Sequence, residues 1–164
     1  MYKAMKVLAI AVLIVTIIGA GVVLYGIRTL SPVVEQVSVL ATPAQQAQDV
    51  FDSALAQVRN ETFTGRVFAG TQGLDAQNCT FVTYTVRLSN RGLFPAEWVS
   101  LDIVPAQGDV LQLDNVQANV LSAGSQGDIA ATVLHAGDAA DTQRAYVIHC
   151  YTLGRKITLE GASE

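Results

Sequence analysis

From Val7 to Ile27 the chain reads VLAIAVLIVTIIGAGVVLYGI, 21 residues without a charged side chain. At about 1.5 Å rise per residue, one helix of this length crosses a hydrocarbon core of roughly 30 Å. Lys3 and Lys6 precede the run and Arg28 is the only basic residue close behind it. Two positive charges before the span against one after it favour an N-terminus in the cytoplasm and a C-terminus outside. A cleaved signal peptide has an apolar region of about 7–15 residues and a small-x-small cleavage site. Here Ile18-Gly19-Ala20 carries a bulky residue at that point, and Val39-Leu40-Ala41 fits better but lies well past the apolar run. The expectation is an uncleaved signal-anchor, with a secreted, cleaved protein as its competitor. No cysteine stands at the end of the run for a lipoprotein anchor, and the processing site and early Glu of a pilin-type leader are not seen. Gly19, Gly21 and Gly26 lack the spacing of GxxxG, so helix pairing through them is not expected.

The resulting layout is a cytoplasmic N-terminus over 1–6, a transmembrane helix over 7–27, a juxtamembrane connector over 28–62 and an extracytoplasmic domain over 63–164. About 100 residues suffice for one domain with its own core. After Arg28 there are seven basic residues against all fourteen acidic ones, a net charge near −7. Such a domain does not seek nucleic acid, itself a polyanion. It also lacks the Lys/Arg cluster that would hold it on anionic lipid.

Cys79 and Cys150 are the two cysteines. Outside the cell their pairing is the default reading, and closing a loop of that length would restrict the unfolded chain by roughly 4 kcal/mol. A zinc or redox role would want C-x-x-C or more His ligands, and none completes a tetrahedral site.

Within the connector, residues 29–43 (TLSPVVEQVSVLATP) are more apolar than a free linker, and read as a continued helix, a new helix after Ser31, or a segment packed on the domain. A short amphipathic helix is expected over about 45–59. Val50, Phe51, Ala54, Leu55 and Val58 share one face, which packs on the β domain or on its own copy. From Phe63 the period changes to two. Candidate strands are FTGRVFAGT, CTFVTYTVRL, EWVSLDIV, DVLQL, DIAATVL, RAYVIHCYTL and KITLEG, with turn residues every 8–12 positions. This pattern predicts an Ig-like antiparallel β-sandwich. Strict alternation puts Val82, Tyr84, Val86 and Leu88 on one face and Cys79 on the other, so either a bulge follows Cys79 or the bridge lies on an outer face. The same alternation turns Val99, Leu101 and Ile103 inward and the lone Trp98 outward with Ser100 and Asp102. There it is a candidate partner contact, or is covered by the helix or the Pro95 loop.

The block from TYTVRLSNRGLFPAEWVSLDIV through GDVLQL to LSAGSQGDIAATVL resembles bacterial Ig-like repeats of the cell-adhesion-related (CARDB) type, over about residues 80–134. The positions that carry the likeness are Asn90, Gly92, Leu121 and Gly124. The resemblance implies a binding or spacer module at a cell surface, with no catalytic residues to transfer. A single copy and two cysteines depart from the pattern.

No G-x-S-x-G, H-E-x-x-H, P-loop or G-x-G-x-x-G is present. His135 and His149 are the only histidines. The acids Asp102, Asp109, Asp114, Asp128, Asp138 and Asp141 lack the spacing of a calcium loop. No catalytic, cofactor or metal residue is assigned. Function is expected to be a non-catalytic interaction module or accessory subunit at the cell surface, with a protein partner. One alternative is a structural component polymerising through its N-terminal helix. The other is a metal-binding or enzymatic ectodomain, which would need a pocket gathering His149, Asp and Ser. Homo-oligomerisation is left open.

Overall fold

A computed structural model describes residues 2–28, 32–113, 119–138 and 143–163, with side chains described from Ala9 except 26–28, 99 and 119 within them. The long helix α1 spans Tyr2–Arg28. Strand β1 (Val33–Pro43) follows, then a 3-10 turn (Ala44–Ala47) and helix α2 (Gln48–Arg59). The remaining strands are β2 (Arg66–Val67), β3 (Cys79–Ser89), β4 (Ala96–Ile103), β5 (Asp109–Leu113), β6 (Asn119–Leu121), β7 (Gln126–Ala136), β8 (Ala145–Thr152) and β9 (Arg155–Ala162). They form two antiparallel sheets in the orders β1-β3-β7-β5-β2 and β6-β4-β8-β9.

The core lies between the sheets. Val82, Tyr84, Val86 and Leu88 of β3 and Ile129, Ala131 and Val133 of β7 meet Leu101 and Ile103 of β4 and Ile148 and Cys150 of β8. Each Val, Leu or Ile among them, fully buried, contributes about 1.5–3 kcal/mol. The alternation read in β3 places its faces correctly, because one face meets this core.

The connector differs from the expected layout. Residues 33–43 are not a helix; of the expected alternatives, the segment packed on the domain is the one seen. They are an edge strand paired with β3 from Val33↔Ser89 to Pro43↔Thr80, with a bulge at Glu35. The physical reason is visible in VVEQVSVLAT: its β-branched residues suit a pleated surface, and Val34, Val37 and Val39 pack against the core. The β unit therefore begins near Val33 rather than Phe63. The strand expected at FTGRVFAGT shrinks to the two residues of β2. Helix α2 matches its expected span and packs on the outer face of the first sheet. Phe51 joins Ala44, Ala76, Cys79, Phe81, Leu111 and Leu134 in a second cluster, with Leu55 and Val58 against it. Val50 stays 48% exposed.

Gln112 links the sheets. Its amide carbonyl accepts from the Ile103 N–H (3.0 Å) and its amide nitrogen donates to the Leu101 carbonyl (2.9 Å). Strand β6 reaches only Ala96–Trp98 of β4, so this side chain supplies the hydrogen bonds that a neighbouring strand would otherwise make.

Candidate functional site

Trp98 is not an outward contact. It is 4% exposed and belongs to the inter-sheet core. The register of β4 on β8 shifts between Trp98↔Cys150 and Ser100↔His149. This bulge adds one residue and reverses the parity on which the outward assignment rests. Gly127 makes room for the indole, because a Cβ there would lie 3.2 Å from Trp98 Cη2. The expected inward turn of Val99 falls on a side chain outside the described ones.

The expected Cys79–Cys150 bridge is not formed, and both cysteines are free and buried. Cys79 is the first residue of β3 and faces the α2 cluster. Cys150 lies opposite Trp98, whose ring touches Gly127, the partner of Leu88. Leu88 is nine residues further along β3, roughly 30 Å at about 3.3 Å per residue. A disulfide needs Cα atoms within about 7 Å. Burial pushes both thiols up, which keeps them protonated and unreactive.

The ionisable residues form two groups. At the end of the sandwich where β5 begins, Arg144 donates to Asp109 twice, Nε to Oδ2 (2.8 Å) and Nη2 to Oδ1 (3.1 Å). His135 Nδ1 lies 2.9 Å from Asp109 Oδ1, and the Ala106 N–H donates to Oδ2 (2.8 Å). The Arg144 N–H donates to Ser163 Oγ (2.9 Å). The Asp109 and Arg144 side chains are 1% and 5% exposed. Burial alone would push the Asp109 carboxyl up, but the hydrogen bonds from Arg144, Ala106 and His135 outweigh it and hold the carboxyl below its usual range. Gly108 adopts φ +91° directly against the imidazole, where a Cβ would lie 2.5 Å from His135 Cε1. An Asp–His hydrogen bond is the orienting half of a catalytic triad. Here, however, both carboxylate oxygens are engaged by Arg144, and the group clamps β5 and β7 to the segments flanking β8 and β9.

The second group lies on the outer face of the other sheet. His149 Nε2 and Ser100 Oγ each lie 3.5 Å from Asp102 Oδ2, and Arg66 Nη1 lies 3.5 Å from Asp102 Oδ1. With Thr64, Gly65, Leu101 and Gln112, the Arg66, Ser100 and Asp102 side chains line a small groove of about 70 Å³. The Asp, His and Ser that an enzymatic ectodomain would need are thus neighbours. The Ser100 hydroxyl contacts the carboxylate, whereas an activated nucleophile is held by its base at about 2.6–3.2 Å. Among the described residues no three His, Cys, Asp or Glu side chains are placed to hold a metal ion. Asp114 and Asp141 lie outside the described residues.

The residues carrying the sequence resemblance converge. Asn90 Nδ2 donates to the carbonyls of Phe94 (2.7 Å) and Leu121 (3.0 Å), the Gly92 N–H donates to Asn90 Oδ1 (2.9 Å), and the Gly124 N–H donates to the Asn90 carbonyl (2.8 Å). Asn90 is 1% exposed, so these bonds replace water completely.

Helix α1 presents Ile10, Val12, Leu13, Ile14, Val15, Ile17, Ile18 and Val22 through Tyr25 to the exterior, each at least half exposed. Among the described residues no helix is long and apolar enough to cross a membrane. The described side chains of α1 cover only 9–25, fewer than the roughly 20 residues a span requires. The helical backbone itself runs 27 residues, and the apolar sequence continues at Val7, Leu8 and Ile27.

No family model matches the chain, and no curated protein matches it. Among solved structures it is similar to the crystal structure of a Bordetella pertussis protein named ApaA, at 17% identity over 79% of this chain and 89% of that one, with a TM-score of 0.35. At that level the likeness carries no argument about function.

Proposed function

We propose that this chain is a single-pass membrane protein whose extracytoplasmic, Ig-like β-sandwich acts as a non-catalytic interaction or accessory module at the cell surface. The observation that carries this reading is α1: large apolar side chains stand exposed on every side of it, with no part of the sandwich covering them. A helix apolar all round needs an apolar solvent. The run of 21 uncharged residues supplies the length, and Lys3 and Lys6 supply the direction.

Retention of the anchor is supported by β1. Cleavage after Ala41 would remove nine of its eleven residues, including the core-packed Val34, Val37 and Val39. The Ig-like reading is supported by strand order. The sets β1-β3-β7-β5 and β4-β8-β9 correspond to the ABED and CFG sheets of a constant-type Ig domain, with β2 and β6 as additions. Assignment to the cell-adhesion-related repeats draws its support from the hydrogen-bonded knot of Asn90, Gly92, Leu121 and Gly124.

The test is fractionation of the native host. The full chain should stay in the pellet through alkaline carbonate, dissolve in detergent, and be digested by protease only when the outer side of the membrane is accessible. Release by carbonate, or protection from external protease, refutes the reading. A native mass in mild detergent showing large homopolymers would favour the polymerising alternative.

A further inference from the structure

The anchor fixes which end of the sandwich faces the bilayer. Only residues 29–32 separate Arg28 from Val33, so at about 3.6 Å per residue the start of β1 lies within roughly 18 Å of the end of α1. Val33 pairs with Ser89, which pairs with Gln126. The loop 90–95, the loop 122–125 and the turn between Thr152 and Arg155 all belong to this end. Among the described residues ten large apolar side chains are exposed outside α1, and six lie here: Val33, Leu93, Phe94, Val120, Tyr151 and Leu153.

Two of the tips have features that folding does not require. Thr152 pairs with Arg155, leaving a two-residue turn in which Leu153 has φ 52° and Gly154 φ 74°. That type I′ backbone favours Asn or Asp at its first position and disfavours a bulky side chain, yet a leucine stands there 68% exposed. Leu93 (61% exposed) and Phe94 (38%) are held out on a rigid loop, because Asn90 fixes the Phe94 carbonyl from one side and the β6–β7 loop from the other. Arg91, Arg155 and Lys156 flank the tips, with Glu35, Glu97 and Asp128 acids nearby, Arg91 being paired with Glu35 and Arg87 with Asp128.

We propose that this end is a membrane foot: Leu93, Phe94 and Leu153 insert into the boundary between headgroups and acyl chains and seat the sandwich upright on the bilayer that α1 crosses. The proposal rests on the single-pass reading above. The occupant is the bilayer interface rather than an anionic headgroup, because the exported part is acidic overall and the attraction comes from apolar tips.

The test uses the full chain in neutral proteoliposomes with an environment-sensitive fluorophore on Leu153→Cys or, as a second position, Leu93→Cys. Val104→Cys, 46% exposed at the opposite end, serves as the control, and the buried native cysteines give an unlabelled wild-type background. The dye at 153 and 93 should emit to the blue of the dye at 104. Lipids carrying a nitroxide near the headgroup should quench it at least about twofold more, as insertion of about 5–10 Å requires. Equal, water-like emission at both ends in protein that floats with the liposomes overturns the foot while leaving the anchor standing. A blue shift without nitroxide quenching overturns it in favour of contact with a second copy. Failure to float overturns both.

Discussion

Replacement of Asp109 by Asn tests whether the buried clamp holds the two sheets together. The side chain keeps its shape and loses its charge, which takes the carboxylate away from the 5%-exposed Arg144 guanidinium and ends the two-pronged contact at 2.8 and 3.1 Å. Removing one partner of a buried pair costs about 3–5 kcal/mol, a large part of a typical stability of about 5–15 kcal/mol. For a unit of this size that is a fall in Tm of roughly 10–20 °C. Trp98, the one tryptophan and 4% exposed, reports unfolding by its fluorescence in denaturant titrations. The dependence on pH has a definite sign. The folded carboxyl is held below its unfolded value of about 3.9, so its stabilisation is complete above that value and is lost as pH falls through the folded value. The gap between wild type and Asp109→Asn should therefore be constant near neutrality and shrink below about pH 4. Adding Arg144→Met to the variant should recover part of the loss, since the buried charge that Asp109 balances is then gone. A cost under about 1 kcal/mol, or strict additivity of the two substitutions, refutes the clamp.

Two further outcomes follow from the same structure. Cys79 and Cys150 should both resist alkylation in the folded protein and both react after denaturation without reductant; a mass showing one bridged pair would contradict the register that separates them. Gln112→Ala leaves the Ile103 N–H and the Leu101 carbonyl unpaired and should cost about 1–3 kcal/mol by denaturant unfolding. Amide exchange should rise first at Ile103, and unchanged protection there would show that something else carries that edge.

Much of this molecule is legible in its residues. The two-residue alternation of CTFVTYTVRL marks β3 and its faces, because one face must leave water and the period says which; DVLQL is β5, though buried on both faces, and the three- and four-residue stripe marks α2, though Val50 stays exposed. The long first helix is legible for a stronger reason: 21 consecutive uncharged residues with no turn residue cluster among them read as one helix, and α1 covers them all. What the alternation could not carry was Trp98. One inserted residue in β4 reverses every side chain beyond it, and no local residue type announces the bulge. The nature of 33–43 was likewise hidden, since VVEQVSVLATP becomes an edge strand only because β3 offers a pairing partner.

A mainly β fold was thus determined by sequence alone, because it follows from periodicity, a local property. Whether the cysteines meet, which charges are buried together and which loops share the end where β1 starts were decided only by tertiary structure. Sequence neighbours do not set those distances. Asp109, His135 and Arg144 come together, and Cys79 and Cys150 lie towards opposite ends of the two sheets, because strand register places them there.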